Sequence, residues 1–298
     1  MNFDNYSDLK ISDDITSKGG IFRDVKIRGD AVIEGDISCR NMSISGDGEI
    51  YGRVYCENDM KVSGDATFNS LVECGNMKVY GDAELRDTLI VRGNLSIYGD
   101  IDIVGNISCN SINIMGDIES KKGVTSKASI QIMGDGVFGG IINGKDIKIM
   151  GDIEECESII GEKINIYGDV RVLKDIEGDK ISIKGDVYCD GLVNGDEVYI
   201  TTHGSHKIKE IGGRVIRVSD DMNKGKSFAS LFSVGDKFGS GLKCECIEGD
   251  DIMLKNSKVN IIRGHNIILG SGCVIECVEY SGKLTLLDDA IVKNEIKL

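Results

Sequence analysis

The sequence contains no proline and no tryptophan. Proline withholds a backbone N–H and is confined in sheets to edges and bulges, so a chain without it suits uninterrupted internal strand. No apolar run approaches the ~18–20 residues needed to span a membrane. The opening Met1-Asn2-Phe3-Asp4-Asn5-Tyr6 lacks the basic-then-apolar order of a secretory leader. Basic clusters are scarce too: the formal charge is −14, and no run exceeds Lys121-Lys122. This argues against a general electrostatic affinity for nucleic acid or anionic lipid, both of which reward grouped Lys and Arg. Peripheral membrane association by another route stays open. The three histidines, His203, His206 and His265, sit in Gly-flanked stretches read as loops, with no partner pattern for a triad. Neither phosphate-binding glycine signature occurs. No catalytic residue, cofactor or metal is therefore expected. The chain reads as a cytoplasmic non-enzyme, with the inner face of the cell membrane as a secondary location.

Glycine, by contrast, is abundant at 39 residues, well above the usual ~7% share. Much of the excess belongs to one phrase: apolar, any, apolar, any, Gly-Asp. Leu95 to Asp100 is followed by Ile112 to Asp117, Ile130 to Asp135, Ile147 to Asp152, Ile164 to Asp169 and Ile181 to Asp186. Ile27, Met42, Met60 and Met77 are read as opening earlier copies. The phrase glycines are Gly29, Gly46, Gly64, Gly81, Gly99, Gly116, Gly134, Gly151, Gly168 and Gly185. Their spacing alternates between a shorter step and one a single residue longer, and the last three steps are all the shorter. A period this short and this persistent defines the architecture before any motif does.

One unit shows the geometry. From Gly46, alternate residues read Gly48, Ile50, Gly52, Val54, Cys56, Asn58, Met60, Val62, Gly64, whereas the intervening set is Asp47, Glu49, Tyr51, Arg53, Tyr55, Glu57, Asp59, Lys61, Ser63. Side chains alternate across a strand, so the first set faces in and the second out. Three polar or glycine corners per unit divide it into three short strands. The fold class is therefore all-β: a parallel β-helix of triangular cross-section, with roughly 17–18 residues per turn. Residues 1–20 are polar and off the period, and are expected to be a flexible tail. Residues 21–203 form the main β-helix of about ten turns. Residues 204–298 are expected to form a second β-helical segment, coaxial or folded beside the first. An irregular or short helical insertion is expected near 219–240, where Phe228, Leu231 and Phe232 fall at helical spacing.

Three sets of side chains compete for a role. The Asp after each phrase glycine forms an outward column, and carboxylates ~4.8 Å apart repel by order 1 kcal/mol per pair in water. The column is either a cation-binding edge or, in the preferred reading, turn capping through each Asp's own backbone. Cys39, Cys56, Cys74 and Cys109 share a slot that Val91 also fills, which reads as core. Cys244-x-Cys246 and Cys273-x3-Cys277 match both zinc spacing and the recurrence of core positions on a strand. The third set is the residue before each phrase glycine. Its middle members are Tyr80, Tyr98, Met115, Met133, Met150 and Tyr167, large and apolar yet placed outside by the alternation. Such a stripe marks an interface, either with another part of the chain or with another molecule.

The run Val32-Ile33-Glu34-Gly35-Asp36-Ile37 and the many Gly-Asp turns resemble the bactofilins, polymer-forming bacterial cytoskeletal proteins. Arg263-Gly264-His265-Asn266-Ile267-Ile268-Leu269-Gly270 and Val278-Glu279-Tyr280-Ser281-Gly282 are similar to a longer, Gram-positive branch. The resemblance implies a right-handed β-helix, assembly without nucleotide through the helix ends, and filaments. The expected partners are further copies of the chain, followed by other cytoskeletal or cell-envelope proteins. The rival classes are a left-handed β-helix acyltransferase and a carbohydrate-active β-helix enzyme.

Overall fold

A computed structural model describes residues 2–220 and 240–298. Apart from its ends, the insertion expected near 219–240, with Phe228, Leu231 and Phe232, lies outside the described residues. The described chain is a parallel β-solenoid of about 16 turns. It divides into two compact units, Met1–Lys145 with Met150–Ile153, and Asp146–Ile149 with Glu154–Leu298.

In the first unit the earlier turns merge two of their sides into strands of 8–9 residues, such as Ile37–Ile44 and Val54–Val62, and the later turns contain three short strands. One turn runs Ala83–Leu85, Leu89–Val91 and Asn94–Ile97, and each strand pairs in parallel with its equivalent in the next turn: Ile101–Ile103, Ile107–Cys109 and Ser111–Ile114. Alternation does what the sequence demands, since Ile97, Ile101, Ile103, Ile107 and Cys109 are all buried. The core is a set of stacked columns. Cys39, Cys56, Cys74 and Val91 form one in continuous register, and Met42, Met60, Met77, Leu95, Ile112 and Ile130 form another. Ile27 does not open the latter column: Val25 pairs with Met42, and Ile27 pairs with Ile44. Asn58 is exposed, because the strand Val54–Val62 slips register between Cys56 and Asp59.

That slip has a pattern. Cys39 pairs with Cys56, but Met42 pairs with Met60, a step one residue longer. The same difference separates Cys74–Val91 from Met77–Leu95, and Cys109–Ser126 from Ile112–Ile130. Each extra residue is thus taken up at one corner, after Cys56, Val91 and Ser126, as a bulge that leaves the flanking columns aligned. Arg92, at the second of these corners, donates to the carbonyls of Cys56 (3.0 Å) and Glu57 (2.6 Å), two turns back, and pairs with Glu73 (2.9 Å).

The phrase glycines have negative φ; among the described residues the positive-φ glycines are Gly19, Gly20, Gly241 and Gly272. Space, and not backbone freedom, selects them. A Cβ on Gly116 would overlap the carbonyl oxygen of Gly99, and one on Gly99 that of Gly81. The corners stack backbone on backbone.

The flexible tail expected over 1–20 is corrected. Leu9–Ile11 pairs with Val25, Lys26 and Ile27, and Ile15–Ser17 pairs with Ala31–Ile33. A 3-10 turn at Phe3–Asn5 precedes them, with Phe3 buried. This turn escaped the periodicity because Ser12 stands where later turns carry glycine.

In the second unit the turns continue across residue 203 without a break. Ser205–Ser219 pairs in parallel with both Val187–Asn194 and Glu197–Thr201, and Gly241–Leu254, Ser257–Leu269, Val274–Leu286 and Ile291–Lys297 follow in order. Residues 204–298 are therefore further turns of the same sheet as residues 187–201. Their strands are long, because two sides of the turn merge into one run of 13–15 residues. His206 belongs to such a run, fully buried, and His265 lies within Ser257–Leu269; neither is in a loop.

Candidate functional site

Each stripe residue ends a strand that is pinned to the turn before it. The N–H of Tyr80, Tyr98, Met115, Met133 and Met150 donates to Val62, Val79, Ile97, Ile114 and Ile132 respectively, at 2.8 Å each. The five are therefore in register on the outside of the first unit. Tyr80 and Tyr98 stack, centroids 4.9 Å apart and planes at 4°, and the Lys61 ammonium lies 5.0 Å from the Tyr80 centroid. Tyr80, Tyr98 and Met115 are 46%, 42% and 47% exposed, while Met133 and Met150 are half-buried. The described residues thus leave Tyr80, Tyr98 and Met115 open and cover Met133 and Met150 in part. Tyr167 lies in the second unit. It is exposed, but Lys148 and Lys184 lie 5.7 and 4.9 Å from its ring centroid, and cation–π contact already occupies its faces.

The aspartate column does neither of the things expected of it. The carboxylates of Asp82, Asp100, Asp117, Asp135, Asp169 and Asp186 reach the next turn. Asp100 N–H donates to Asp82 Oδ1, Asp117 N–H to Asp100, Asp135 N–H to Asp117 and Asp152 N–H to Asp135, at 3.0–3.4 Å. In the second unit Asp186 N–H donates to Asp169 and Ser205 N–H to Asp186. A corner where the strand ladder lapses has an orphan N–H, and the previous Asp supplies its acceptor. No group of three or more His, Cys, Asp or Glu able to hold a metal occurs among the described residues.

The cysteines behave as packing. Eight are buried, and Cys246 and Cys277 are half-buried. Burial pushes the thiols of Cys74, Cys156 and Cys273 up to about 12, and that of Cys109 up to about 11. Thiolate, the metal-binding and nucleophilic form, is thereby disfavoured. Cys246 and Cys277 stand two turns apart with Ile261 between them, so the four thiols at 244–277 are spread along the sheet.

One further feature of the second unit lies at its last strand. Ile291–Lys297 pairs only with Val274–Leu286 among the described residues, and Leu286, Ile291 and Ile296 are exposed, the last two at 54% and 45%. Register places Ile291 and Ile296 on the outer face, in line with Lys258 and Arg263, while Glu295 ends the buried column of Ile247, Ile262 and Val278.

The stacked turns define a repeat protein, a parallel β-solenoid, with exposed apolar residues along the stripe, on the last strand and at scattered positions such as Tyr51, Val104 and Leu173. Residues 26–121 match the bactofilin family, described as polymer-forming cytoskeletal, and bear out over that stretch the resemblance carried by the Gly-Asp turns. Two proteins of Bacillus subtilis (strain 168) are similar. The uncharacterized protein YhbE is 47% identical over 57 residues, 19% of this chain and 24% of the relative. The uncharacterized protein YhbF is 35% identical over 97 residues, 33% of this chain and 37% of the relative. The chain thus matches about a quarter and just over a third of these relatives' lengths. No solved structure matches.

Proposed function

We propose that this chain is a structural protein that assembles with copies of itself, without nucleotide, through the ends of its β-solenoid, with lateral contacts from the exposed stripe. The observation that carries the reading is the strand Ile291–Lys297. An edge with free N–H and C=O groups pairs readily with another strand unless it is charged, bulged or covered. Here the strand carries Lys293, Glu295 and Lys297, and Ile291 and Ile296 add exposed apolar surface on its outer face, beside that edge. Bactofilins are polymer-forming cytoskeletal proteins, which supports the same conclusion. Because each turn is completed by stacking on its neighbour, a further copy at the end would repeat a contact the fold already makes many times. The proposed setting is the cytoplasm. Attachment at the inner face of the membrane and contacts with cytoskeletal or envelope proteins extend the same reading.

The test is negative-stain electron microscopy of the purified full chain, with and without added ATP or GTP. Filaments or sheets are expected in both samples, and dispersed particles from the double variant Ile291→Lys, Ile296→Lys. A discrete particle from the parent chain, or assembly only with nucleotide, would overturn the proposal.

A further inference from the structure

The stripe on the first unit has two chemically different flanks. From Ser63, one turn before the stripe, through Tyr80, Tyr98, Met115 and Met133, the outward residue two positions earlier is Lys61, Lys78, Ser96, Asn113 and Gln131. The residue two positions later is Asp65, Asp82, Asp100, Asp117 and Asp135. Every member of the first column can donate a hydrogen bond, and two carry positive charge. Every member of the second is an exposed carboxylate. Although Oδ1 of Asp82, Asp100, Asp117 and Asp135 accepts one backbone N–H, an ionised carboxylate has capacity for several more donors. The surface therefore reads, across the direction of the chain, as donor column, apolar stripe, acceptor column.

We infer that this stripe pairs with the stripe of a second copy in one orientation, with the two first-unit axes pointing the same way about a two-fold axis parallel to them. The inference deepens the self-assembly reading, on which it rests for the identity of the partner. The rotation exchanges the flanks. Each acceptor column then faces the other copy's donor column, with Lys61 and Lys78 opposite Asp65 and Asp82. Equivalent turns meet at the same level, so Tyr98 lies opposite Tyr98 and Met115 opposite Met115.

The reversed orientation is excluded by the same columns. Turning one copy end for end leaves the flanks unexchanged, so carboxylates face carboxylates: about a centre at Met115, Asp117 meets Asp117 and Asp100 meets Asp135. Two chains of formal charge −14 would then approach through their acidic columns, and like charges juxtaposed across an interface penalise that pairing. The stripe gives adhesion and the flanks give direction. From Tyr80 to Met150 the contact is only about 19 Å long at the ~4.8 Å turn spacing. It is modest in a single pair, and is repeated by every protomer once the copies are joined end to end, where effective concentration multiplies it.

Cross-linking of two variants of the full chain, Tyr98→Cys and Met133→Cys, mixed in equal amounts under assembly conditions, tests the orientation. A short bifunctional thiol reagent is added and the linked peptides are identified by mass spectrometry. Native Cys246 and Cys277 serve as internal controls, and circular dichroism verifies that both variants fold. The parallel pair gives 98–98 and 133–133 links at least tenfold above 98–133 links. Dominant 98–133 links would establish the reversed pair, a statistical mixture would mean unspecific contact, and no links at either position would mean the stripe is not an interface; each overturns the inference. None of these outcomes depends on filaments being seen, so failure of the end-to-end reading is recognised separately, by microscopy.

Discussion

Oδ1 of Asp117 accepts the backbone N–H of Asp135, one turn further along, at 3.0 Å. The pairing explains why an acidic column persists although its members repel. The amide at each corner has left the strand ladder, and a charge-assisted acceptor from the turn before satisfies it.

Replacing Asp117 separates its two properties. Asp117→Asn keeps an acceptor oxygen and removes one charge from the column, so stability is expected to stay within about 0.5 kcal/mol of the parent or to rise. Asp117→Ala leaves the Asp135 N–H to solvent and is expected to cost about 0.5–1.5 kcal/mol. Equilibrium urea unfolding of the two variants measures both. Equal losses would show that charge, and not acceptance, is what the position needs.

Two glycines in the same unit should respond in opposite directions. Gly116→Ala drives a methyl group into the stacked Gly99 carbonyl, which rigid backbone cannot vacate, and is expected to cost about 1–3 kcal/mol. Gly48 lies in a column whose neighbours are Ala31 and Ala66, and a Cβ there meets only the Ile44 side chain, at 3.3 Å. Gly48→Ala is expected to be neutral or stabilising by up to about 1 kcal/mol, through the less flexible unfolded chain. The order of melting temperatures, Gly48→Ala at or above the parent and Gly116→Ala below it, is the readout.

His206 makes the second unit acid-sensitive. It is buried, its Nε2 donates to the Thr201 carbonyl at 2.7 Å, and its Nδ1 has no hydrogen-bond partner. Burial holds its pKa below the ordinary value, so the folded chain keeps the ring neutral where the unfolded chain would protonate it. The unfolded state therefore binds more protons as pH falls through about 6.5, and stability declines in that direction. Above about 6.5 the contribution is complete. Unfolding free energy measured between pH 7.5 and 5.5 should fall for the parent and fall less for His206→Asn. Parallel slopes would assign the acid sensitivity to other groups.

The architecture was legible because a period survives substitution: Met, Leu and Ile interchange in one column and Cys and Val in another without disturbing the count. What the count could not show were the places where chemistry departs from the phrase. Ser12 replaces glycine at the first turn, and residues read as a tail proved to be strands. Asn58 follows the alternation on paper, but the bulge turns it to solvent. The aspartates were read as capping their own turns because sequence displays immediate neighbours, whereas their partner amides lie a full turn away. The stripe followed directly from the alternation. That Lys148 and Lys184 flank the Tyr167 ring did not, since they meet it only once the turns are stacked.

The corner that absorbs the extra residues after Cys56, Val91 and Ser126 does so on alternate turns. The first unit therefore carries two rulers at once. Along its strands the smallest step is a single turn, about 4.8 Å, and a partner gripping there could slip by one turn and find similar contacts. Along that one corner the step is two turns, about 9.6 Å, and Arg92 already spans it in reaching back to Glu57. A surface that read this corner would admit half as many registers as one that read the strands.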